Sequence, residues 1–259
     1  MISVVAEIVR EVALTEIIPR FGTLKSHQIR TKTHPGDLVT DADIQAEHHL
    51  SRLLTALLPG SVVVGEESVY HDRTVLDQLS EDAPVWVIDP VDGTNNFAHG
   101  RDSFGVIVAL VKKGCTVAGC IHDPIRNVTV IGEKGAGAWC EGERLSLSRP
   151  QSLETMMGSL GNRHIETVER SVQGVVRLSS AAQDYLALLL GRTHFSYYRH
   201  LLPWDHAAGI LLHAEAGGFS AMTNDRQPYR PFVTDDAVLA APDRDTWETL
   251  LPLVEPPSA

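Results

Sequence analysis

The chain of 259 residues carries a net charge of −11, and 43% of its residues are hydrophobic. These values predict a globular protein with one large domain or two modest ones. No block of lysines or arginines is present, which argues against a broad basic surface for nucleic acid. No run of about 18 apolar residues is present either, so the sequence predicts no membrane-spanning helix.

The cysteines and the first residues bear on the cellular compartment. Cys115, Cys120 and Cys140 are odd in number and lack paired metal spacing, which indicates reduced thiols in a cytoplasmic protein. Cys115 and Cys120 lie in an apolar run, which predicts that both are buried. Residues 1–10 contain Glu7 and no long apolar block, so we expect no signal peptide.

The first 150 residues are predicted to form a pair of helices and an antiparallel sheet. Apolar residues at near-helical spacing from Ile2 to Ile17 indicate one helix that ends around Pro19 to Gly22. A second helix should begin at Thr40 or Asp41, either of which is a good N-cap, and end before Pro59. Residues 70–83 should hold a short helix. Apolar runs between turn residues predict strands at 62–64, 85–88, 104–111, 115–122, 127–132, 135–139 and 144–147.

Residues 151–259 change character, because predicted strands and helices alternate there, as in an α/β layer. The boundary near residue 150 is soft, and residues 255–259, with two prolines, are predicted to form a frayed tail. The predicted strands are 156–160, 195–198 and 238–241, and the predicted helices are 166–173, 180–190, 203–215 and 243–253.

The stretch 86–97 carries the strongest sign of chemistry. Asp89 follows a buried apolar strand, and Pro90 is expected to take the chain out of the sheet. Asp92 comes three residues after Asp89, so both carboxylates lie on one turn and are close enough to bind a cation. The alternative is an ordinary turn, because Asp-Pro and Asp-Gly form turns wherever they occur.

The residues after Asp92 add groups that suit a phosphate. Gly93 lets the backbone approach a ligand, and Thr94 brings a hydroxyl and a backbone N–H. A helix that begins near Asn95 would direct free N–H groups to an anion beside the carboxylates. The pattern predicts metal-assisted phosphate chemistry. The negative net charge is compatible with an anionic substrate, because bound divalent cations reverse the field locally.

Three further acidic segments have both a structural and a functional interpretation. Asp43 lies in the first turn of the second predicted helix, where acidic residues favour the helix dipole. Glu66 and Glu67 follow a short apolar strand, where acidic pairs commonly form solvated turns. Asp205 lies at the start of a helix whose small residues, 207–209, should allow close packing. Asp205 can satisfy free N–H groups at the helix start and still bind a cation.

These segments together resemble the signatures of the inositol monophosphatase family, which are Mg²⁺-dependent, lithium-sensitive phosphatases. The matching segments are 32–43, 65–68, 86–100 and 203–218, and they span most of the chain. The resemblance implies an α+β or α/β fold, a layered α-β-α-β-α sandwich of the inositol monophosphatase and fructose-1,6-bisphosphatase type. It also implies a homodimer and hydrolysis of a small phosphorylated polyol, myo-inositol monophosphate first.

The resemblance also implies roles for individual residues and two or three Mg²⁺ ions per site. Asp43, Thr94 and Glu66 would be catalytic, with Asp43 and Thr94 orienting the attacking water. Glu67 would support Glu66 or face solvent. The implied metal ligands are Glu66, Asp89, the carbonyl of Val91, Asp92 and Asp205. The implied substrate-binding residues are Asp92, Gly93, Thr94, Ala181, Tyr198 and Asp205.

Departures from the family pattern put the inositol substrate in doubt. Tyr198 stands seven residues before Asp205, where many members have a glutamate that grips ring hydroxyls, and His194 replaces a common aspartate. Histidinol phosphate, a sugar phosphate, fructose 1,6-bisphosphate and 3′-phosphoadenosine 5′-phosphate are therefore alternatives. Arg199 either contacts a second anionic group or lies in a surface ion pair. A non-catalytic descendant would have lost one of the site carboxylates or Thr94, and all are present.

Overall fold

The computed structural model describes residues 1–34 and 36–255. The predicted frayed tail is therefore outside the described residues, apart from Glu255. That residue is held in place, because the Tyr197 hydroxyl donates a hydrogen bond of 2.6 Å to its carboxylate.

The N-terminal segment forms two helices and a small hairpin. The amphipathic helix α1 (Ile2–Val12) continues as a π-helical turn and a 3-10 turn to Arg20. The prediction of a second helix, α2 (Asp41–Leu57), is confirmed. Of the two N-caps that the sequence offered, Thr40 is the one used, since its side chain accepts a hydrogen bond from the Ala42 N–H. The sequence did not predict the antiparallel hairpin that precedes it, β1 (Ile29–Thr31) and β2 (Leu38–Thr40).

The larger sheet has seven strands in chain order, all antiparallel except the first pair. Its second strand, β4 (Val85–Asp92), runs past Pro90 to Asp92, whereas the sequence predicted an exit at Pro90. Asp89 pairs with Ile107 and Asp92 pairs with Gly105, so the strand carries one extra residue as a bulge. The elements are β3 (Val62–Gly65), α3 (Glu66–His71), a 3-10 segment (Arg73–Ser80), β4 (Val85–Asp92), α4 (Thr94–Ala98), β5 (Gly105–Lys112), β6 (Cys115–Asp123), β7 (Val128–Glu133), β8 (Gly137–Cys140) and β9 (Glu143–Arg144).

The smaller sheet has five strands, and their order across the sheet differs from their order along the chain. Counted along the chain, the second strand lies at one edge, followed by the first, the third, the fifth and, at the other edge, the fourth. The sequence missed its second and fourth strands, and the helix predicted at 166–173 is a single turn of four residues. The elements are β10 (Met157–Ser159), α5 (Glu166–Glu169), β11 (Gly174–Val176), α6 (Ala181–Leu189), β12 (Phe195–Leu201), α7 (Pro203–Glu215), β13 (Phe219–Met222), β14 (Thr234–Ala241) and α8 (Arg244–Val254).

Helices and sheets alternate in five layers. The first two helices cover one face of the seven-stranded sheet, where Val9 and Leu50 are fully buried. Helices α6 and α7 lie between the two sheets around Tyr185 and Ala208. The outer face of the five-stranded sheet packs against α8 through Trp247. The predicted α-β-α-β-α sandwich is therefore confirmed, whereas the division near residue 150 stays a prediction.

The middle helix layer packs unusually closely. A Cβ on Gly209 of α7 would lie 2.3 Å from the Tyr185 ring, and a Cβ on Gly119 of β6 would lie 3.1 Å from the Ala208 Cα. Small residues at these positions hold the start of α7 against the sheet that carries Asp89 and Asp92. The predicted close packing of the small residues after Asp205 agrees with these distances.

The cysteine and membrane predictions have separate outcomes. All three cysteines are free, and Cys120 is buried, but Cys115 is exposed at the start of β6 and its predicted burial is wrong. Within the described residues, no helix combines the length and the apolar character needed to cross a membrane.

Candidate active site

Three aspartates from two distant parts of the chain meet at one end of the sandwich. Asp89 lies at the bulge of β4, Asp92 ends that strand, and Asp205 occupies the first turn of α7. One carboxylate oxygen from each lies within 4.8 Å of the other two. Asp89 and Asp92 are buried and Asp205 is partly exposed. Oxygen ligands at this spacing form a pocket for a hard divalent cation.

Asp43 and Thr94 form a second unit beside the aspartates. The Thr94 hydroxyl lies 3.0 Å from Asp43 Oδ1 and 3.0 Å from the Val91 carbonyl, so it can donate to either. The other Asp43 oxygen accepts a hydrogen bond of 2.8 Å from the Thr40 N–H. One carboxylate therefore caps α2 and orients Thr94 at the same time.

Glu66 and Glu67 are the first two residues of α3, and both contact Lys32. The Lys32 ammonium lies 2.7 Å from Glu66 Oε1 and 2.6 Å from Glu67 Oε1. Burial opposes the charge on Lys32, but the two glutamates raise its pKa above the ordinary value. Glu67 is only 4% exposed, so the alternative that it faces solvent is wrong. Glu66 is partly exposed, and its charge acts on Asp89 and Asp205.

Glu47 of α2 positions this pair, and sequence reasoning missed it. Its two carboxylate oxygens each accept a backbone hydrogen bond of 2.8 Å, one from Glu67 and one from Ser68. A carboxylate beside a helix N-terminus satisfies N–H groups that have no partner within the helix. A Cβ on Gly65 would lie 2.2 Å from this carboxylate, so the close approach requires glycine. The apolar-polar spacing of α2 gave no signal of this contact.

Asp92 is held by the N-terminus of α6. The Ser180 hydroxyl and the Ala182 N–H both donate to Asp92 Oδ2, the latter at 2.7 Å. Burial raises the pKa of Asp92 to about 6, although these hydrogen bonds act in the opposite direction. The contact also places Ala181 beside the aspartate cluster.

Like charges in a buried place dominate the electrostatics of the site. Burial, and then the charges of Glu66, Asp92 and Asp205, raise the pKa of Asp89 well above its ordinary value. Burial, and then Asp92 and Glu66, do the same for Asp205. Burial raises the pKa of Asp43 to about 6. A divalent cation would relieve this repulsion, and the hard oxygen donors fit Mg²⁺.

Two cavities adjoin the cluster and have Asn162 and Ser179 in common. One, of about 420 Å³, is lined by Asp92, Asp205, Ala181 and Tyr198 among others. The other, of about 530 Å³, is lined by Glu66, Gly93 and Thr94 among others. Every residue that the sequence suggested for substrate binding therefore lines one cavity or the other.

The backbone at Gly93 requires glycine. Its φ is +87°, in the left-handed region, and a Cβ there would lie 2.8 Å from the Ser103 carbonyl oxygen. Helix α4 begins at the next residue, Thr94, as the sequence predicted to within one residue. The turn therefore brings the first N–H groups of α4 to the edge of the second cavity.

Tyr198 lines the first cavity, but its hydroxyl proton is not available to a ligand there. The hydroxyl donates a short hydrogen bond to Asp184, a buried residue of α6. Its ring lies 4.7 Å from the His206 ring, centroid to centroid. The sequence did not indicate Asp184, because its partner is brought to it only by the packing of β12 on α6.

Comparisons with known proteins agree with this geometry. The model of the inositol monophosphatase family matches residues 1–256. A Thermotoga maritima protein named fructose-1,6-bisphosphatase/inositol-1-monophosphatase is 34% identical over 196 residues, 73% of either chain. An inositol-1-monophosphatase of Mesorhizobium japonicum is 35% identical over 219 residues, 77% of either chain.

Solved structures show the same fold. A Thermotoga maritima IMPase superposes with a TM-score of 0.84 at 27% identity, covering 97% of this chain and 95% of that one. The extragenic suppressor protein suhB of Bartonella henselae superposes with a TM-score of 0.83 at 26% identity, covering 99% and 98%. The chain belongs to the inositol monophosphatase family and is a phosphoric monoester hydrolase.

Proposed function

We propose that the protein is a Mg²⁺-dependent phosphomonoesterase that hydrolyses a small phosphorylated polyol by activating a water molecule. The meeting of Asp89, Asp92 and Asp205 within 4.8 Å carries this proposal. A cytoplasmic location, indicated by the cysteines, and a homodimer, implied by the family resemblance, belong to the same proposal.

The residues that would hold the metal are the three aspartates, Glu66 and the carbonyl of Val91. When bound, Mg²⁺ supplies Lewis-acid stabilisation of phosphoryl oxygens and a water of lowered pKa. The protein's own contribution is to hold these oxygen ligands in place before the substrate arrives. The hydrogen bonds from Ser180 and the Ala182 N–H to Asp92 serve that purpose.

The Asp43–Thr94 pair would orient the attacking water and accept its proton. When the Thr94 hydroxyl donates to Asp43 Oδ1, its oxygen lone pairs are free to accept a hydrogen bond from that water. As the water attacks phosphorus, its proton moves to Thr94 Oγ1 and the Thr94 proton moves to Asp43. The N–H groups of Gly93 and Thr94 would hold the phosphate. The bond from phosphorus to the leaving oxygen breaks in line with the attack, and the released alkoxide takes a proton from solvent water to give the alcohol.

The relatives' names order the candidate substrates. Both curated relatives described above have names that include inositol-1-monophosphatase, so myo-inositol monophosphate is the first candidate. The Thermotoga name also includes fructose-1,6-bisphosphatase, which favours fructose 1,6-bisphosphate as the second. Histidinol phosphate and 3′-phosphoadenosine 5′-phosphate are the remaining candidates.

Phosphate release from these four compounds, with and without Mg²⁺ and with added Li⁺, tests the proposal. We expect release that requires Mg²⁺, is inhibited by Li⁺, and is lost in Asp89→Asn. Asp77→Asn, which changes an exposed carboxylate of the 3-10 segment, is the matched control and should retain the rate. Release that continues at the same rate in a chelator, or in Asp89→Asn, would contradict the proposed mechanism.

A further inference from the structure

One buried hydroxyl beside α7 has no hydrogen-bond partner. It belongs to Tyr229, and among the described residues no group accepts its proton or donates to its oxygen. Tyr229 lies in the segment 223–233 between β13 and β14, most of whose side chains are exposed. Its ring lies 6.5 Å from the His206 ring of α7, centroid to centroid. Leaving a buried hydroxyl unpaired costs folding free energy, so such a group in a native protein needs a physical reason.

The carboxylate of Asp205 lacks a hydrogen-bond donor. Asp92 accepts hydrogen bonds from the Ser180 hydroxyl and the Ala182 N–H. In the described part of the chain, no N–H or hydroxyl group donates to Asp205, whose hydrogen-bonding neighbour is the carboxylate of Asp89. A carboxylate that binds a metal ion is commonly held in its orientation by a donor on its other oxygen. Asp205 is therefore an implied ligand without the support that Asp92 has.

The unpaired donor and the unpaired acceptor lie close to each other. Asp205 lies in the first turn of α7, and Tyr229 lines a cavity of about 800 Å³ together with Ala207 and Ile210 of the same helix. Burial, and then the charge of Asp205, raise the pKa of Tyr229 above its ordinary value. The Tyr229 hydroxyl therefore lies within the electrostatic field of the carboxylate that needs a donor.

A second tyrosine nearby cannot take this role as readily, because its hydroxyl has a partner. The Tyr185 hydroxyl lies 3.1 Å from His206 Nδ1. Burial, and then the charges of Tyr229 and Asp205, raise the pKa of Tyr185, so these three groups are neighbours. Of the two tyrosines, Tyr229 is the one whose proton has no acceptor.

We propose that Tyr229 is a positioning residue of the metal site, whose hydroxyl donates to the Asp205 carboxylate, directly or through one water molecule, when Mg²⁺ is bound. The inference rests on the proposed function, because it concerns a ligand of the same ion. A carboxylate that binds an ion through one oxygen has a second oxygen for such a donor. A neutral hydroxyl supports the carboxylate without cancelling the negative charge that attracts Mg²⁺, as a lysine or an arginine would.

Tyr229→Phe tests the proposal, because it removes only the hydroxyl. Isothermal titration calorimetry with MgCl₂ and no substrate measures the affinity for the ion. We expect the Kd for Mg²⁺ to rise about tenfold, which is the effect of losing one hydrogen bond to a charged group. The melting temperature of the metal-free protein should equal or exceed that of the wild type, because the hydroxyl has no hydrogen bond to lose there.

The dependence of the rate on Mg²⁺ separates positioning of the ion from contact with the substrate. At a Mg²⁺ concentration near the wild-type Kd, Tyr229→Phe should turn over the best of the four substrates more slowly than the wild type. A tenfold or greater excess of Mg²⁺ should restore kcat, and KM for the substrate should stay unchanged. A rate that excess Mg²⁺ does not restore would contradict the proposed role.

Tyr197→Phe is the matched control. Tyr197 is also buried, but it packs in the cluster that contains Trp247 of α8, and its hydroxyl donates to Glu255. This variant should melt at a lower temperature than the wild type, because it loses that hydrogen bond. It should bind Mg²⁺ with the wild-type Kd, since neither partner belongs to the aspartate cluster.

The outcomes separate this inference from the proposed function. A wild-type Kd for Mg²⁺ in Tyr229→Phe, or an equal weakening in Tyr197→Phe, would overturn the role of Tyr229 and leave the metal site intact. A metal-free Tyr229→Phe protein that melts well below the wild type would also overturn it, because the hydroxyl would then stabilise the fold itself. Failure of the wild type to bind Mg²⁺ would overturn the proposed function and the inference with it.

Discussion

Thr94 and Asp43 are 51 residues apart in the chain, and their side chains meet in a buried hydrogen bond of 3.0 Å. Asp43 belongs to the capping box of α2, since it also accepts from the backbone N–H and the hydroxyl of Thr40. Thr94 belongs to the first turn of α4, which follows β4. The first turn of α2 therefore supplies the carboxylate that can orient the Thr94 hydroxyl, which in turn is proposed to orient the attacking water.

The Asp43–Thr94 pair predicts a loss of rate with little loss of stability. Asp43→Asn keeps an oxygen that can accept a hydrogen bond from Thr40. The free energy of unfolding should therefore change by no more than about 1 kcal/mol. We expect kcat to fall by about 10²- to 10⁴-fold, because the amide accepts a proton poorly. Thr94→Val should cause a similar fall and Thr94→Ser a much smaller one. Steady-state kinetics with urea unfolding measures both quantities, and equal rates in Thr94→Val and Thr94→Ser would contradict the role of the hydroxyl.

The buried position of Asp89 among other carboxylates leads us to expect that Asp89→Asn affects thermal stability differently with and without Mg²⁺. In the metal-free protein at pH 8, Asp89→Asn removes one of several crowded buried carboxylates, so its melting temperature should equal or exceed that of the wild type. With Mg²⁺ at about 100 times its Kd, the wild type should gain about 2.7 kcal/mol and several degrees. The variant should gain much less.

Calorimetry at a series of Mg²⁺ concentrations provides the check on Asp89, and it needs no substrate. Asp77→Asn should respond to Mg²⁺ as the wild type does, because its side chain is exposed and lies in the 3-10 segment away from the cluster. A full Mg²⁺ response in Asp89→Asn would mean that the cluster is not where the ion binds.

Elements with local signals were predictable from the sequence. Helix α7 was predicted with both ends, because Pro203 suits the first helical position and Gly217 follows its last turn. The N-cap of α2 was narrowed to Thr40 or Asp41 for the same reason, since capping depends on residues within one turn. The carboxylates of the site were also found, because they lie directly after apolar strands or at the start of helices.

Features that depend on packing between distant segments were not predictable. The carboxylate of Glu47 in α2 contacts the start of α3, although Glu47 precedes Glu67 by 20 residues. No sequence feature near Glu67 indicates this contact. Tyr198 was chosen by counting back from Asp205, but its hydroxyl is bound by Asp184 of another helix. Pro90 stays in the sheet since a bulge places it where the pairing with β5 is interrupted.

Gly209 predicts that one added methyl group destabilises the layer that carries Asp205. In Gly209→Ala the new Cβ would lie 2.3 Å from the Tyr185 ring, which is fully buried. The ring or α7 must move, and we expect a cost of about 1–3 kcal/mol, despite the higher helix propensity of alanine. Ala214→Ser is the control, because it adds one heavy atom on the exposed face of α7. It should change the free energy of unfolding by less than about 0.5 kcal/mol. Equal unfolding free energies for Gly209→Ala and the wild type in urea would show that the Tyr185 ring or α7 can move to fit the methyl group at no cost in stability.

His213 predicts a specific dependence of stability on pH. The side chain is fully buried in α7, its Nδ1 is paired with the Ser220 hydroxyl at 2.8 Å, and burial lowers its pKa from 6.5 to about 4. Between these values the unfolded chain binds a proton that the folded protein does not. The neutral histidine therefore contributes its full stability above about pH 6.5, and the contribution is lost as the pH falls toward 4.

The difference between the wild type and His213→Gln isolates this contribution, because all other titrating groups are common to both proteins. Between pH 7.5 and pH 5.0, the wild type should lose about 2 kcal/mol of unfolding free energy more than the variant does. Urea unfolding at the two pH values measures it. His48→Gln, which changes an exposed histidine of α2, should lose as much as the wild type. A gap between wild type and His213→Gln that stays constant with pH would mean that His213 titrates alike in the folded and unfolded chains.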